Sequence, residues 1–239
     1  MANKNVQARV AIVLVLLVPI LLLAYFYNFT SPVFSGVPFE YSYVDGDSAK
    51  RELPIFELVD LNGDTLNREE LLGKVVIMDF FSVDVAVGVG PYPLARLFHV
   101  NITRLYDNIA WEKEPQIVMI SVNTGDTLPE IVRYVQDLKR RYSENKPIED
   151  IRWKFVHGNL EDVYRMGQGA FGLDGFVGKK PGDVSFTAKQ AALIDKQGMV
   201  RKFYVATDLQ SERKIFEDYI ALLRMEYSDE VDRMRGRED

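Results

Sequence analysis

The side chains that most often carry chemistry are scarce in this chain, so the search for a site begins with exclusion. Cysteine is absent from all 239 residues, which removes disulfides, thiolate nucleophiles, C-x-x-C redox exchange and thiolate metal sites together. His99 and His157 are the two imidazoles. A metal site would have to draw on that pair, on carboxylates or on methionines, and their spacing matches no ligand pattern. Asp60, Asn62 and Asp64 alternate as calcium ligands do, but an EF-hand loop needs Gly at its sixth position and Glu at its twelfth. Those positions hold Thr65 and Leu71, and a polar turn accounts for the three residues better. Gly167, Gly169 and Gly172 formally match G-x-G-x-x-G. The dinucleotide fingerprint requires a strand before the glycines and a helix after them, whereas these follow a helical run and lead into more loop. With no Walker motif either, no nucleotide partner is expected. Ser82, Asp79 and Asp84 are candidates for a hydrolase, yet no histidine stands near Ser82 in sequence and nothing suggests a base.

The element that would have to position a site is the stretch Gly73 to Pro91, GKVVIMDFFSVDVAVGVGP. Val75, Val76, Ile77, Met78, Phe80 and Phe81 form an apolar β-type run, a Gly-broken loop follows, and Pro91 opens a helical pattern. In α/β folds the strand-to-helix junction is where chemistry usually sits. Between Phe81 and Pro91 there is no Cys, His, Lys or Arg. The loop is instead rich in valine (Val83, Val85, Val87, Val89), with Tyr92 beside it. An apolar loop of this kind is a candidate surface for a protein partner, and a loop folded onto its own core explains it equally well.

The rest of the chain supplies the frame. Val10 to Tyr27 carries no charge, and at about 1.5 Å per residue is just long enough for a bilayer crossing. It is longer than a signal-peptide core and ends in aromatics without a small-residue cleavage site, so it reads as one uncleaved N-terminal transmembrane helix. Lys4 and Arg9 precede it and the first later charge is Glu40, which places residues 1–9 in the cytoplasm and the main domain outside. Residues 28–52 read as a connector with a short hairpin at Tyr41–Val44 and Asp45-Gly46. The main domain, 53–227, gives a strand at Ile55–Val59 and a short helix near Asn67 before the central strand. A helical stripe follows from Tyr92 to Ile109, bordered by His99. Then come a strand at Gln116–Val122, a helix at Leu128–Tyr142, a strand at Trp153–Val156, a helix at Leu160–Met166, a hairpin of Ala191–Asp195 with Val200–Val205, and a helix capped by Asp208. Residues 228–239 form a charged tail expected to fray. The order is that of an α/β protein with a mixed sheet flanked by helices. A net charge of -6 and a pI near 5.1 argue against nucleic acid, since phosphate contacts need a clustered basic excess. Lys139-Arg140-Arg141 reads as a solvated helix face.

Several of these segments together resemble the SCO/SenC family of membrane-anchored proteins with a thioredoxin fold, which deliver copper to cytochrome c oxidase. The resemblance rests on IFELVDLNGDTLNREELLGKVVIMDFF, on Pro91 opening the first main helix, on ISVNTGDTLPEIVRYVQDLKRRY, on WKFVHGNLEDVYRM and on LIDKQGMVRKFYVATD. It covers about Leu53 to Leu223. It implies a thioredoxin-like domain on the periplasmic face of an energy-transducing membrane, of the bacterial inner-membrane kind, with cytochrome oxidase or a respiratory supercomplex as partner.

The departures from that family are as informative as the matches. The family holds copper with a C-x-x-x-C pair before the proline and a histidine before the hairpin. Placing the proline at Pro91 puts Ala86 and Gly90 at the cysteine positions and Thr187 at the histidine position, and none of the three ligates copper. Thiol exchange is excluded on the same ground. The expectation is therefore a non-catalytic, cofactor-free accessory subunit or assembly factor working through protein contacts. The alternative is a copper carrier with a new site built from His99, His157 and methionines. Met78, Met119, Met166, Met199 and Met225 are spread one per element and Met234 lies in the charged tail, which suits core packing better than a shared site.

Overall fold

A computed structural model of the chain describes residues 17–19, 37–39, 41–44, 47–83, 103, 105–106, 109, 117–142, 148–149, 152–172, 190–205 and 209–234. The chain divides into two compact units, Met1–Ser35 and Gly36–Asp239. In the first, Leu17, Val18 and Pro19 are helical and exposed. The remainder of the expected transmembrane helix lies outside the described residues, and among the described residues no helix is long and apolar enough to cross a membrane.

The second unit holds two sheets. β1 (Tyr41–Val44) and β2 (Asp47–Lys50) pair as an antiparallel hairpin with Val44 opposite Asp47. The main sheet has seven strands: β3 (Glu57–Asp60), β4 (Thr65–Asn67), β5 (Val75–Phe81), β6 (Ile117–Asn123), β7 (Trp153–Gly158), β8 (Gln190–Ile194) and β9 (Val200–Val205). Their spatial order is β4-β3-β7-β6-β5-β8-β9. β5, β6 and β7 run parallel, and every other neighbouring pair is antiparallel. All seven residues of β5 and all seven of β6 are buried, as expected for largely apolar strands in the middle of a sheet covered on both faces, and Asp79, Ser121 and Asn123 are buried with them.

Four helices are described in full: α1 (Arg68–Leu71), α2 (Leu128–Tyr142), α3 (Leu160–Arg165) and α4 (Leu209–Met234). Asn67 begins α1 with a capping box, accepting from the Glu70 amide at 3.0 Å while Glu70 accepts from the Asn67 amide at 3.2 Å. Thr127 stands before α2 in a related arrangement, its amide and hydroxyl both donating to Glu130. Ile131, Val135 and Leu138 then fall on one face of α2 at helical spacing and join the core with Ile215, Tyr219, Leu222 and Leu223 of α4. Leu58, Leu66, Leu71, Val163 and Met166 form a second core on the opposite face of the sheet, against Val76, Met78 and Phe80. Each large apolar side chain buried in this way contributes roughly 1.5–3 kcal/mol relative to exposure.

Several expected boundaries shift, each for a tertiary reason. The first main-sheet strand begins at Glu57 instead of Ile55, and Ile55 is 76% exposed. β7 extends to Gly158 because Leu58 and Val59 of β3 supply partners for Gly158 and His157. α3 ends in a π-helical turn, Met166–Ala170, which is where Gly167 and Gly169 fall. α4 runs through Met234 and does not fray from Ser228. No glycine or proline interrupts the chain between Leu209 and Arg235, so nothing local stops the helix there. The unit also starts earlier than residue 53: Val37 is 3% exposed and belongs to the core. Of the expected helix Tyr92–Ile109, the residues Thr103, Leu105, Tyr106 and Ile109 are described; all four are buried, the first three are helical, and Ile109 lies in a bend.

Candidate functional site: the ends of the two central strands

The C-terminal ends of β5 and β6 lie side by side, with Phe81 opposite Asn123. Crevices beyond the carboxyl ends of parallel strands are where open α/β sheets place their ligands. Here the two chain segments leaving the sheet are tied to each other by a polar clamp. The Asp126 carboxylate accepts from the Ser82 hydroxyl at 3.1 Å, the Val83 amide at 2.6 Å and Asn123 Nδ2 at 2.6 Å. Asn123 Oδ1 in turn accepts from the amides of Gly125 and Asp126, folding the segment into a tight turn. The Thr124 amide and hydroxyl both donate to the Phe81 carbonyl, at 2.9 and 3.1 Å. The clamp therefore fixes the backbone where the loop after β5 begins.

A second polar group lies within the sheet beneath it. Ser121 donates to Asp79 at 2.5 Å and accepts from Trp153 Nε1 at 3.0 Å, all three being buried. The register places Asp79 directly opposite Ser121 on the face covered by α2 and α4. Trp153 stacks on Phe155 with ring centroids 5.0 Å apart and meets Tyr106 at 5.7 Å, filling the space around the pair.

Beside the clamp, a cleft of about 750 Å³ has Val83, Glu130, Arg133, Tyr134, Gln136, Asp137 and Arg140 as its described lining. Its charged rim is largely self-paired. Arg140 binds Asp137 at 2.6 Å, and Glu130 is held below the usual carboxylate range, first by the Thr127 hydroxyl, then by its amide, with Arg133 adding to the effect.

Each expected site residue can be placed against this frame. Val83, expected on an exposed partner-binding loop, is 8% exposed and packs in the core with Phe81 and Leu105. The hydrogen bond from its backbone amide to the Asp126 carboxylate draws it inward, so it belongs to the foundation of the loop and not to its surface. Val85, Val87, Val89 and Tyr92, the lost-ligand positions Ala86, Gly90 and Thr187, and His99 lie outside the described residues. His157 sits on β7, half-buried and opposite Val59. Met119 is buried on the α2/α4 face and Met78 and Met166 on the other, so the sheet separates them. Ser82 is wholly buried with its hydroxyl directed to Asp126, and Asp79 is 3% exposed, which leaves neither placed to meet a substrate. The Asp60 carboxylate accepts from the amides of Asn62 and Asp64 and pairs with Lys154 at 2.8 Å. It forms the core of a turn, as the sequence suggests. Burial would raise that carboxyl, but Lys154 and the two amides outweigh it and hold it low.

The sequence reading missed Asp126 and Asn123. The available signal was a polar quartet, Asn123-Thr124-Gly125-Asp126, that closes the largely apolar strand β6.

A mixed sheet with this order and these flanking helices is a thioredoxin-like α/β fold. Solved structures with the same fold include a SCO1/SenC family lipoprotein from Bacillus anthracis str. Ames, 21% identical with a TM-score of 0.54 over 72% of this chain and 95% of that one. BsSco, a member of the Sco family of cytochrome c oxidase assembly proteins, is 18% identical with a TM-score of 0.51 over 72% of this chain and 93% of its own. The apo Sco1 protein from Thermus thermophilus is 16% identical, with a TM-score of 0.51 over 73% of this chain and 93% of that chain. No protein-family model and no curated protein sequence matches the chain. The chain thus shares its fold with SCO/SenC proteins across nearly their whole length.

Proposed function

We propose that the chain is a membrane-anchored, non-catalytic member of the SCO/SenC family. In this reading it serves as an accessory subunit or assembly factor of a cytochrome oxidase or respiratory supercomplex, through protein–protein contacts on the outer face of the membrane. The observation that carries the reading is a Sco-like fold in a chain with no cysteine at all. The solved relative BsSco is described as having a disulfide switch. A chain without thiols can neither run such a switch nor offer thiolates to copper. What remains is the body of the fold, with the clamp at Asp126 still setting the root of the loop. Val85, Val87, Val89 and Tyr92 are the proposed contact residues.

The absence of native cysteine allows a clean test. Val87→Cys and, as a control at the start of α3, Leu160→Cys are each labelled with a photoactivatable maleimide in intact membranes. Leu160 is 37% exposed at the start of α3. The reading predicts crosslinking of the Val87→Cys protein to an integral respiratory subunit, with little from Leu160→Cys. Equal crosslinking from both positions, or none from Val87→Cys, contradicts it. Stoichiometric copper in the purified full-length protein would overturn the non-metal role in favour of a carrier.

A further inference from the structure

Arg201 on β9 is a charged side chain only 5% exposed, and the proposed docking role makes no use of it. Three stretches distant in sequence converge on its guanidinium. From the segment that enters the domain, the Val37 carbonyl accepts from Nε at 3.1 Å and also from Nη2, and the Phe39 ring lies 4.0 Å from the guanidinium carbon. From the β8–β9 turn, the Asp195 carboxylate accepts from Nη1 at 3.1 Å. From α4, the Glu226 carboxylate faces the same nitrogen at 3.4 Å. The turn also grips α4 directly: the Lys196 amide donates to Glu226 Oε2 at 3.2 Å, and Lys196 Nζ donates to the Glu226 carbonyl at 2.7 Å.

A guanidinium has five donors in a rigid planar fork, so the directions in which its partners can sit are fixed together. Burying it is tolerable only while carboxylates balance its charge and acceptors take its protons. Displacing one partner therefore weakens the hold on the others, which is energetic coupling between the entry segment and α4, two segments that Arg201 bridges. The position in the helix gives the coupling a consequence. Leu223 is the last described α4 side chain in the core, Glu226 follows one turn later, and the helix continues to Met234. Arg201 thus grips α4 one turn beyond its last described core residue, and grips the entry segment through a carbonyl whose own side chain, Val37, is buried.

We propose that Arg201 is a latch that couples the entry segment Val37–Phe39 to the part of α4 beyond Leu223, so that the two lock and release together. Whatever holds the outer end of α4 then tightens the entry segment, and whatever pulls on the entry segment loosens that end, by the same factor in each direction. The inference does not rest on the docking role.

The test is hydrogen exchange by mass spectrometry on the full chain in nanodiscs. It compares the wild type with Arg201→Gln, Arg201→Lys and a neighbouring control, Lys202→Gln, whose partner is Asp218 at 2.6 Å. Arg201→Gln is expected to raise exchange about tenfold in both the entry-segment peptide and the peptide covering the outer part of α4, with β5 and β6 unchanged. Lys202→Gln is expected to leave both peptides near the wild-type rate. Arg201→Lys keeps the charge but not the paired donation to Val37, and is expected to give a smaller rise in both. If Arg201→Gln does not fold, Arg201→Lys decides. A response in one peptide alone, or a response seen only together with opening of β5 and β6, overturns the proposal.

Discussion

Replacing Asp126 by alanine tests the frame of the candidate site most sharply. The substitution removes the acceptor used by the Val83 amide at 2.6 Å, the Ser82 hydroxyl at 3.1 Å and Asn123 Nδ2 at 2.6 Å. A hydrogen bond to a charged group contributes about 1.5–3 kcal/mol, and leaving a buried donor unmet costs about 1–3 kcal/mol. Val83 and Ser82 are both buried, so water cannot replace the carboxylate freely on their side. Asn123 retains its bonds to Gly125 and Asp126 through Oδ1 and loses less. The sum is about 3 kcal/mol, which for a domain of this size corresponds to a fall of roughly 6–12 °C in Tm. Asp126→Asn keeps one carbonyl acceptor without the charge and is expected to lose about half as much. Thermal unfolding of the detergent-solubilised protein, followed by near-ultraviolet circular dichroism, gives the comparison. An unchanged Tm for Asp126→Ala would mean that the carboxylate does not hold the two strand ends together.

Three further outcomes follow from particular contacts. Gly172 has φ +57, and a Cβ built there would stand 2.0 Å from Nη1 of Arg51. Because Arg51 is flexible and the left-handed backbone is the firmer obstacle, Gly172→Ala should cost about 1–2 kcal/mol, read as a lower Tm. The Asp60 carboxyl titrates below its ordinary value of 3.8, so its contribution to stability is full above that pH and declines as pH falls past it toward the folded-state value. Asp60→Asn should therefore flatten the acid limb of the stability profile measured by denaturant titration, and an unchanged limb would show that the Lys154 pair contributes nothing there. Combining Ala86→Cys, Gly90→Cys and Thr187→His should restore some copper binding, measured by competition with a chromogenic chelator; no gain would refute the placement of the lost site.

How far the sequence anticipates the structure depends on whether the deciding contact is local. The bounds of α2 are readable because Thr127 and Glu130 mark its start and Ile131, Val135 and Leu138 repeat at helical spacing. β5 and β6 are readable because runs so largely apolar and rich in Val, Ile and Phe have few other uses at that length. His157 and Gly158 carry no local strand signal because their partners, Val59 and Leu58, lie far away in the chain. Val83 looked like a surface residue for the same reason: the carboxylate that draws it inward belongs to residue 126. The entry segment looked like a linker by composition, while Arg201, far along the chain, binds Val37 into the domain. The valine loop itself carries no such long-range signal in sequence, and the contact role given to Val85, Val87, Val89 and Tyr92 rests on their chemistry.

The central claim is a lasting or assembly-stage association with a respiratory complex, and mild solubilisation addresses it directly. Membranes are dissolved in a gentle detergent, separated under native conditions, and each fraction is assayed for this chain by antibody and for haem by absorbance. The account predicts that the chain migrates with a haem-containing oxidase or supercomplex and that the co-migration survives removal of copper by chelation. A chain that runs alone at every stage of growth, with no haem-containing partner, would contradict it.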